Sequence, residues 1–242
     1  MAELEILKHA KKSYTILKSS GKDWGHKLKE IIIEILIIVF AVSISIWFHN
    51  WSEKRHEDKE EKEFFIGFRK DLGNDIENMT ASKTYYEHTL AGIQFFLKNG
   101  DSREINRDSL NKYLDIFFGS TDLDPHISRY EGLKSSGKFR IIENKELLNN
   151  IISLHESLIQ RIQELNLKYY QDNEKLETLI IQNARLLPNG KIANASMITK
   201  RSDFKILLTL KQGLVEYNII PAAELGLTKC KEIQTQIDDE LK

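Results

Sequence analysis

The chain has 242 residues, with 35 Lys and Arg against 36 Asp and Glu and a formal net charge of −1 at pH 7. That balance provides no overall field for nucleic acid, and the lone Cys230 excludes a disulfide within the chain and a cysteine-based zinc centre. With 3 prolines and 12 glycines against abundant Lys, Glu, Leu and Ile, the composition is that of long helices, and an all-α fold is expected.

Residues 1–30 read as a basic segment, and an apolar element comes next. From Ile31 to Phe48 the sequence is IIIEILIIVFAVSISIWF, with Glu34 as its only charge. Eighteen residues at ~1.5 Å each cover roughly 27 Å, close to the ~30 Å hydrocarbon core of a bilayer. The run is apolar on all sides between charged blocks, which favours a transmembrane helix over residues 31–51 above a buried core helix. Trp47 and Trp51 suit the headgroup level and are expected to act as interface anchors. The bulky stretch Trp47–Trp51 offers no small-residue cleavage site, so a retained signal anchor is expected rather than a signal peptide. Lys12, Lys18, Lys22, Lys27 and Lys29 precede the span, and Lys54, Arg55, Lys59 and Lys62 lie after it. The excess of one leans toward a cytoplasmic N-terminus, with residues 52–242 on the other side.

Glu34 admits two readings. Its carboxylate marks the inner headgroup boundary, or it faces a partner helix. In the second case Glu34, Ala41 and Ser45 form a helix-packing face of small and polar side chains, of the kind that lets helices approach closely in lipid.

Beyond the span the periodicity stays helical. The charged run SEKRHEDKEEKEFF leads into apolar positions Phe65, Phe68, Leu72, Ile76, Met79, Tyr86, Leu90, Ile93 and Leu97, ending at Asn99-Gly100-Asp101. A second seam runs from a capping Asn144 through Leu147, Ile151, Leu154, Leu158, Ile162, Leu165, Tyr169, Leu176 and Leu179 to Pro188. A third starts at Ser202, read as an N-cap, and carries Phe204, Leu207, Leu208, Leu214, Ile233 and Ile237, with a kink or break at Pro221. Three elements of matched length predict a transmembrane helix continuing into an elongated antiparallel helical bundle over residues 52–242. Residues 99–143 are then a cap at the end far from the membrane, and the loop 187–201 returns toward the lipid.

One stretch resembles a phosphate loop. In EGLKSSGKF, Gly132, Gly137 and Lys138 have G-x-x-x-x-G-K spacing, but Phe139 stands where a magnesium-binding Ser or Thr is needed, and no apolar strand precedes it. The preferred reading is a helix-ending corner. Ser128 caps a short helix with Glu131 completing a capping box, Ile127 and Leu133 face inward, and Gly137 supplies the left-handed terminator. Tyr130, Glu131 and Gly137 are then candidate residues of an interaction corner. Asp122, Asp124 and His126 lack a fourth ligand for a metal, and His49 and His56 read as solvated. No catalytic residue, cofactor or metal is expected, and the chain is not read as an enzyme.

Two stretches together resemble an uncharacterised family of bacterial single-pass membrane proteins. Glu34, Asn50, Trp51 and Glu53 match its anchor, a Glu, an Ile/Val/Leu-rich span and an Asn-Trp-x-Glu element. Tyr130, Glu131, Leu133, Ser136 and Gly137 match its Tyr-Glu-x-Leu-x-x-Ser-Gly segment. Ala41 stands where the family often has Gly, and its last helix usually lacks a proline such as Pro221. The resemblance implies an inner-membrane location and a helical architecture, and it brings no activity with it. The function expected is a single-pass anchored interaction, scaffold or sensor module with an unidentified protein partner. The alternative is a homo-oligomeric, membrane-active assembly built on the Glu34, Ala41 and Ser45 face.

Overall fold

The computed structural model describes residues 24–99, 113, 119, 121, 125–189 and 191–242. The expected basic segment before residue 24, about half of the 99–143 cap, and Asp122 and Asp124 lie outside the described residues. The chain divides into two compact units, Met1–Glu60 and Glu61–Lys242. Among the described residues the structure is all-α, with one isolated bridge between Leu186 and Ile192 as the only strand-like pairing.

Helix α1, Trp24–Asn99, is 76 residues long and contains no proline to interrupt it. Its apolar window has a mean hydropathy of 2.8 and is 6% buried, so it is long and apolar enough to cross a membrane. Phe40 is 67% exposed and Trp47 61%, values opposite to those of a core helix. At its polar edge Arg55 lies over the Trp51 ring at 4.9 Å, joining charge and aromatic at one level.

In the unit Glu61–Lys242 the periodic seams become three packed rods. The second rod comprises α3 (Lys145–Ser153), a π turn (Leu154–Ile159) and α4 (Gln160–Asn183). The third comprises α6 (Ser202–Leu214), a π turn (Val215–Ile219) and α7 (Ile220–Glu240). The short α2 (Ser128–Ser135) and α5 (Ala195–Thr199) precede them. The second π turn lies just before Pro221, whose ring lacks the N–H that a regular helix would aim at Tyr217. The chain thus passes its proline without a break.

The rods bury apolar clusters along their length. Phe64, Phe65, Phe68 and Leu72 meet Leu147, Ile151, Leu154, Ile233 and Ile237 near the start of the unit. Ile93 and Phe96 meet Leu176, Ile180, Phe204 and Leu208 at the other end. Each such side chain contributes about 1.5–3 kcal/mol on full burial. Gly226 lets α7 approach α1 closely, because a Cβ there would sit 2.9 Å from Met79 Sδ.

The direction of the second rod differs from expectation. Phe68 contacts His155, and the Tyr86 hydroxyl donates to Asn166 Oδ1 at 2.8 Å, so α1 and α3–α4 run parallel. The third rod is antiparallel to both, as the Arg69–Asp238 pair and the Phe96–Phe204 contact require. The described part of the connection returns along α1. Tyr113 lies by Phe95, Thr121 by Ser82 (3.1 Å), His126 by Asp75 (2.7 Å), and the Glu143 N–H donates to Glu61 Oε1 (2.9 Å). Residues 125–143 therefore close the Glu61 end of the unit rather than its far end. The segment 184–201 packs at the Asn99 end, where Ile192, Ala195 and Ile198 join Phe96 and Phe204, and does not return to the Glu61 end.

Candidate functional site

Two polar clusters stand inside this apolar frame, and the first is organised by the corner. Helix α2 begins at Ser128 after Ile127, with no side-chain capping bond, so the expected Ser128/Glu131 capping box does not form. The turn starts one residue earlier, where the Ile127 N–H donates to Pro125 O at 2.9 Å. Ile127 is 41% exposed rather than inward, and Tyr130 takes the buried position beside Leu133. Gly137 adopts φ 66° and ψ 19°, the left-handed conformation expected of it, and leads into a 3₁₀ turn, Lys138–Ile141. Replacing Gly137 with Ala should cost about 1 kcal/mol and Asn less, read as a lowered melting temperature of the full chain. Lys138 stands in this turn, and Phe139 packs on Tyr130 at 5.9 Å between centroids, which is the wiring of a core rather than of a phosphate cradle.

Tyr130 is 1% exposed and lies flat on His155, with ring centroids 4.2 Å apart and planes at 6°. Its hydroxyl donates to Glu156 Oε1 at 2.6 Å, and Lys134 Nζ donates to the same oxygen at 2.6 Å. Lys134 and Tyr130 together hold the Glu156 carboxyl below its ordinary range, whereas burial and Glu156 push the Tyr130 phenol up. His155 is 5% exposed, and neither of its ring nitrogens has a hydrogen-bond partner. Burial pushes its pKa down to about 4, against a weaker pull from Glu156. Glu131 is exposed beside Lys134, at 4.0 Å. Arg129 donates from Nε to Asp71 Oδ2 at 2.8 Å and lies across α1 where Gly67 leaves room for its guanidinium.

The second cluster lies nearer the Asn99 end of the rods. Lys211 is fully buried, donates to Asn173 Oδ1, and sits 4.3 Å from the centre of the Tyr169 ring. Asn173 Nδ2 in turn donates to the Gly119 carbonyl at 2.9 Å, tying the returning connection to the second rod. Burial pushes the Lys211 ammonium down to about 7, opposed by Asp172 and Glu177. Asp172 is itself pulled below its ordinary range, because its ion pairs with Lys168 and Lys175 outweigh its burial. Tyr85, Thr89 and Tyr169 place hydroxyls in the same interior with poor hydrogen-bond geometry, and burial raises Tyr169.

Among the expected site residues, Tyr130 is brought into the first cluster, with Glu131 and Gly137 at its exposed rim. The span residues behave differently. Glu34 is 7% exposed and engaged, whereas Ala41 and Ser45 are exposed, and the Ser45 hydroxyl donates to the Ala41 carbonyl at 2.9 Å. Trp47 and Trp51 are exposed on α1 with Phe48 edge-on between them. His49 and His56 each lie near a glutamate four residues on, at 3.9 and 3.3 Å, with side chains 79% and 73% exposed.

His155 and Lys211 are not singled out by the sequence reading. A charged or titratable residue inside an apolar seam, between Leu154 and Leu158 or between Leu208 and Val215, is the signal that marks them. Among the described residues no group of three or more His, Cys, Asp and Glu side chains is placed to hold a metal ion. No family model, curated protein or solved structure matches this chain. The two clusters and the apolar segment are the features that bear on function.

Proposed function

We propose that the protein is a single-pass, membrane-anchored helical interaction module, a scaffold or sensor whose bundle presents the Tyr130–Gly137 corner to a protein partner. The observation that carries this reading is the exposed apolar segment of α1, 6% buried over its most apolar window, in a chain whose other apolar seams are buried. Lipid is the natural solvent for such a surface, and Trp47 and Trp51 suit its boundary. The sensor element is supported by the two buried clusters, which hold titratable groups far from their ordinary ranges in rods that each contain a π turn. The family resemblance is consistent with an inner-membrane protein whose N-terminus is cytoplasmic and whose residues 52–242 face the other side.

Fractionation and protease protection test the anchor. The full chain is expected in the membrane fraction, resistant to carbonate extraction, with a reporter after Lys242 active outside the cytoplasm. Release by carbonate would defeat the anchor, and a cytoplasmic reporter would reverse the orientation. A second reading, a homo-oligomeric membrane-active assembly, draws on the exposure of Ala41 and Ser45. Under it Glu34→Leu loses cross-linked oligomers or membrane conductance. Unchanged cross-linking and permeability would leave the module reading alone.

A further inference from the structure

We propose that His155 makes the corner an acid-released clasp: protonation of the imidazole drives Tyr130 off its ring and undocks residues 128–142, while the long rods stay packed. The inference goes beyond the module reading and holds whether the bundle is a scaffold or a sensor.

The surroundings of the imidazole point this way. A neutral imidazole carries one donor and one acceptor, and in His155 both are buried without partners. Protonation would convert the site to a buried cation with two unmet donors, which the protein relieves only by admitting water. The ring lies between Tyr130 on the corner and Phe68 on α1, 4.2 and 5.6 Å away. Phe68 belongs to a long helix packed from Phe64 to Phe96, whereas the corner is an eight-residue helix joined to a 3₁₀ turn. Helices that short do not hold themselves together in water, so the corner is the wall that opens.

The surrounding ionisable groups are consistent with this order of events. On its own rod His155 adjoins Glu156, whose carboxylate is occupied by Tyr130 and Lys134 and stays ionised below its ordinary range. On α2 are Tyr130, Glu131 and Lys134, together with Arg129, which is paired to Asp71 of α1. Also on α1, Asp75 accepts from the His126 backbone N–H and lies 2.7 Å from its ring. Those two contacts with Asp75 fasten the connection at residue 126, so release is confined to the residues C-terminal to it. On α7 the ionisable groups of this region are Cys230, pushed up to about 12 mainly by burial, and Lys229, held by Asn150 and Glu232. The Cys230 thiol therefore stays protonated in mild acid.

Linkage gives the sign. The His155 pKa falls from 6.5 to about 4 on docking, so the docked corner is fully stable above pH 6.5 and loses stability as the pH falls toward 4. With those two pKa values the population of the opened corner rises on the order of 30-fold from pH 7.5 to pH 5.

Hydrogen exchange of the full chain in nanodiscs, corrected for intrinsic rates, tests this at pH 7.5 and pH 5. Amides of residues 130–142 are expected to lose about 30-fold in protection at pH 5, with residues 145–183 and 202–240 little changed. His155→Phe keeps an aromatic in the stack and should abolish the pH dependence, whereas His126→Gln should leave the loss in place or deepen it. Should His155→Phe misfold, the imidazole resonances of ¹³C-labelled wild type decide the matter. A midpoint near pH 4 to 5, concurrent with corner opening, supports the clasp, and an ordinary midpoint near 6.5 with the corner still protected overturns it. Equal loss of protection in His155→Phe and wild type would also overturn it.

Discussion

Lys211→Met is expected to raise the melting temperature of the full chain by roughly 4–8 °C, corresponding to about 2 kcal/mol. The lysine is fully buried, and its pKa lies at about 7 against an ordinary 10.5. A group whose folded pKa is depressed binds fewer protons when folded, so folding is strongest above pH 10.5 and weakens as the pH falls toward 7. At about 1.4 kcal/mol per pH unit, that penalty is on the order of 4–5 kcal/mol at neutral pH. Methionine matches the length of the lysine stem without the charge and leaves Asn173 Oδ1 without its donor, which returns about 1–3 kcal/mol of the gain. Thermal melts at pH 7 and pH 9 check the sign: wild type should gain stability at pH 9, and the variant should not. A lower melting temperature for Lys211→Met at pH 7 would show that the Tyr169 and Asn173 contacts outweigh the burial of charge.

Tyr130→Ala is the complementary loss. The side chain is 1% exposed and carries the stack on His155, the contact with Phe139 and the bond to Glu156. Truncating a buried aromatic costs about 3–5 kcal/mol, and here the loss should fall first on residues 128–142. Proteolysis and hydrogen exchange should show the corner freed before the rods unfold. Tyr130→Phe retains the ring and removes the hydroxyl, so it should destabilise much less. Equal effects from the two variants would shift the weight from packing to the Glu156 bond.

The sequence made the rods legible because their burial tracks helical periodicity. Phe65, Phe68, Leu72, Met79, Tyr86 and Ile93 are buried as their spacing predicts, and Asn144 caps α3 by accepting the Leu147 N–H at 3.0 Å. Ser202 does not cap its rod: Arg201 holds that position and Ser202 opens the helix, with no side-chain capping bond. The direction of the second rod was not legible, because matched lengths fit parallel and antiparallel packing equally well. A connection of about 45 residues reaches roughly 150 Å when extended, enough to run back along the ~60 Å of α1 that lies within this unit. Local backbone reading was most accurate where one residue type is required, as at the left-handed Gly137. It was weakest for residues out of character with their surroundings, such as Lys211 inside an apolar seam.

Parallel packing of α1 with the second rod also constrains the order in which the protein is assembled. The Tyr86–Asn166 bond joins positions 80 residues apart, and Arg69–Asp238 joins positions 169 apart, whereas the turn from α4 into α6 is local. Contacts so distant in sequence form slowly, so the later hairpin is expected to pair first and α1 to be captured afterwards. During synthesis the aromatic row from Phe64 to Phe68 emerges well before the residues that cover it. A chain truncated before residue 144 should therefore be cleaved by protease near Phe64–Phe68, and the full chain should be protected there.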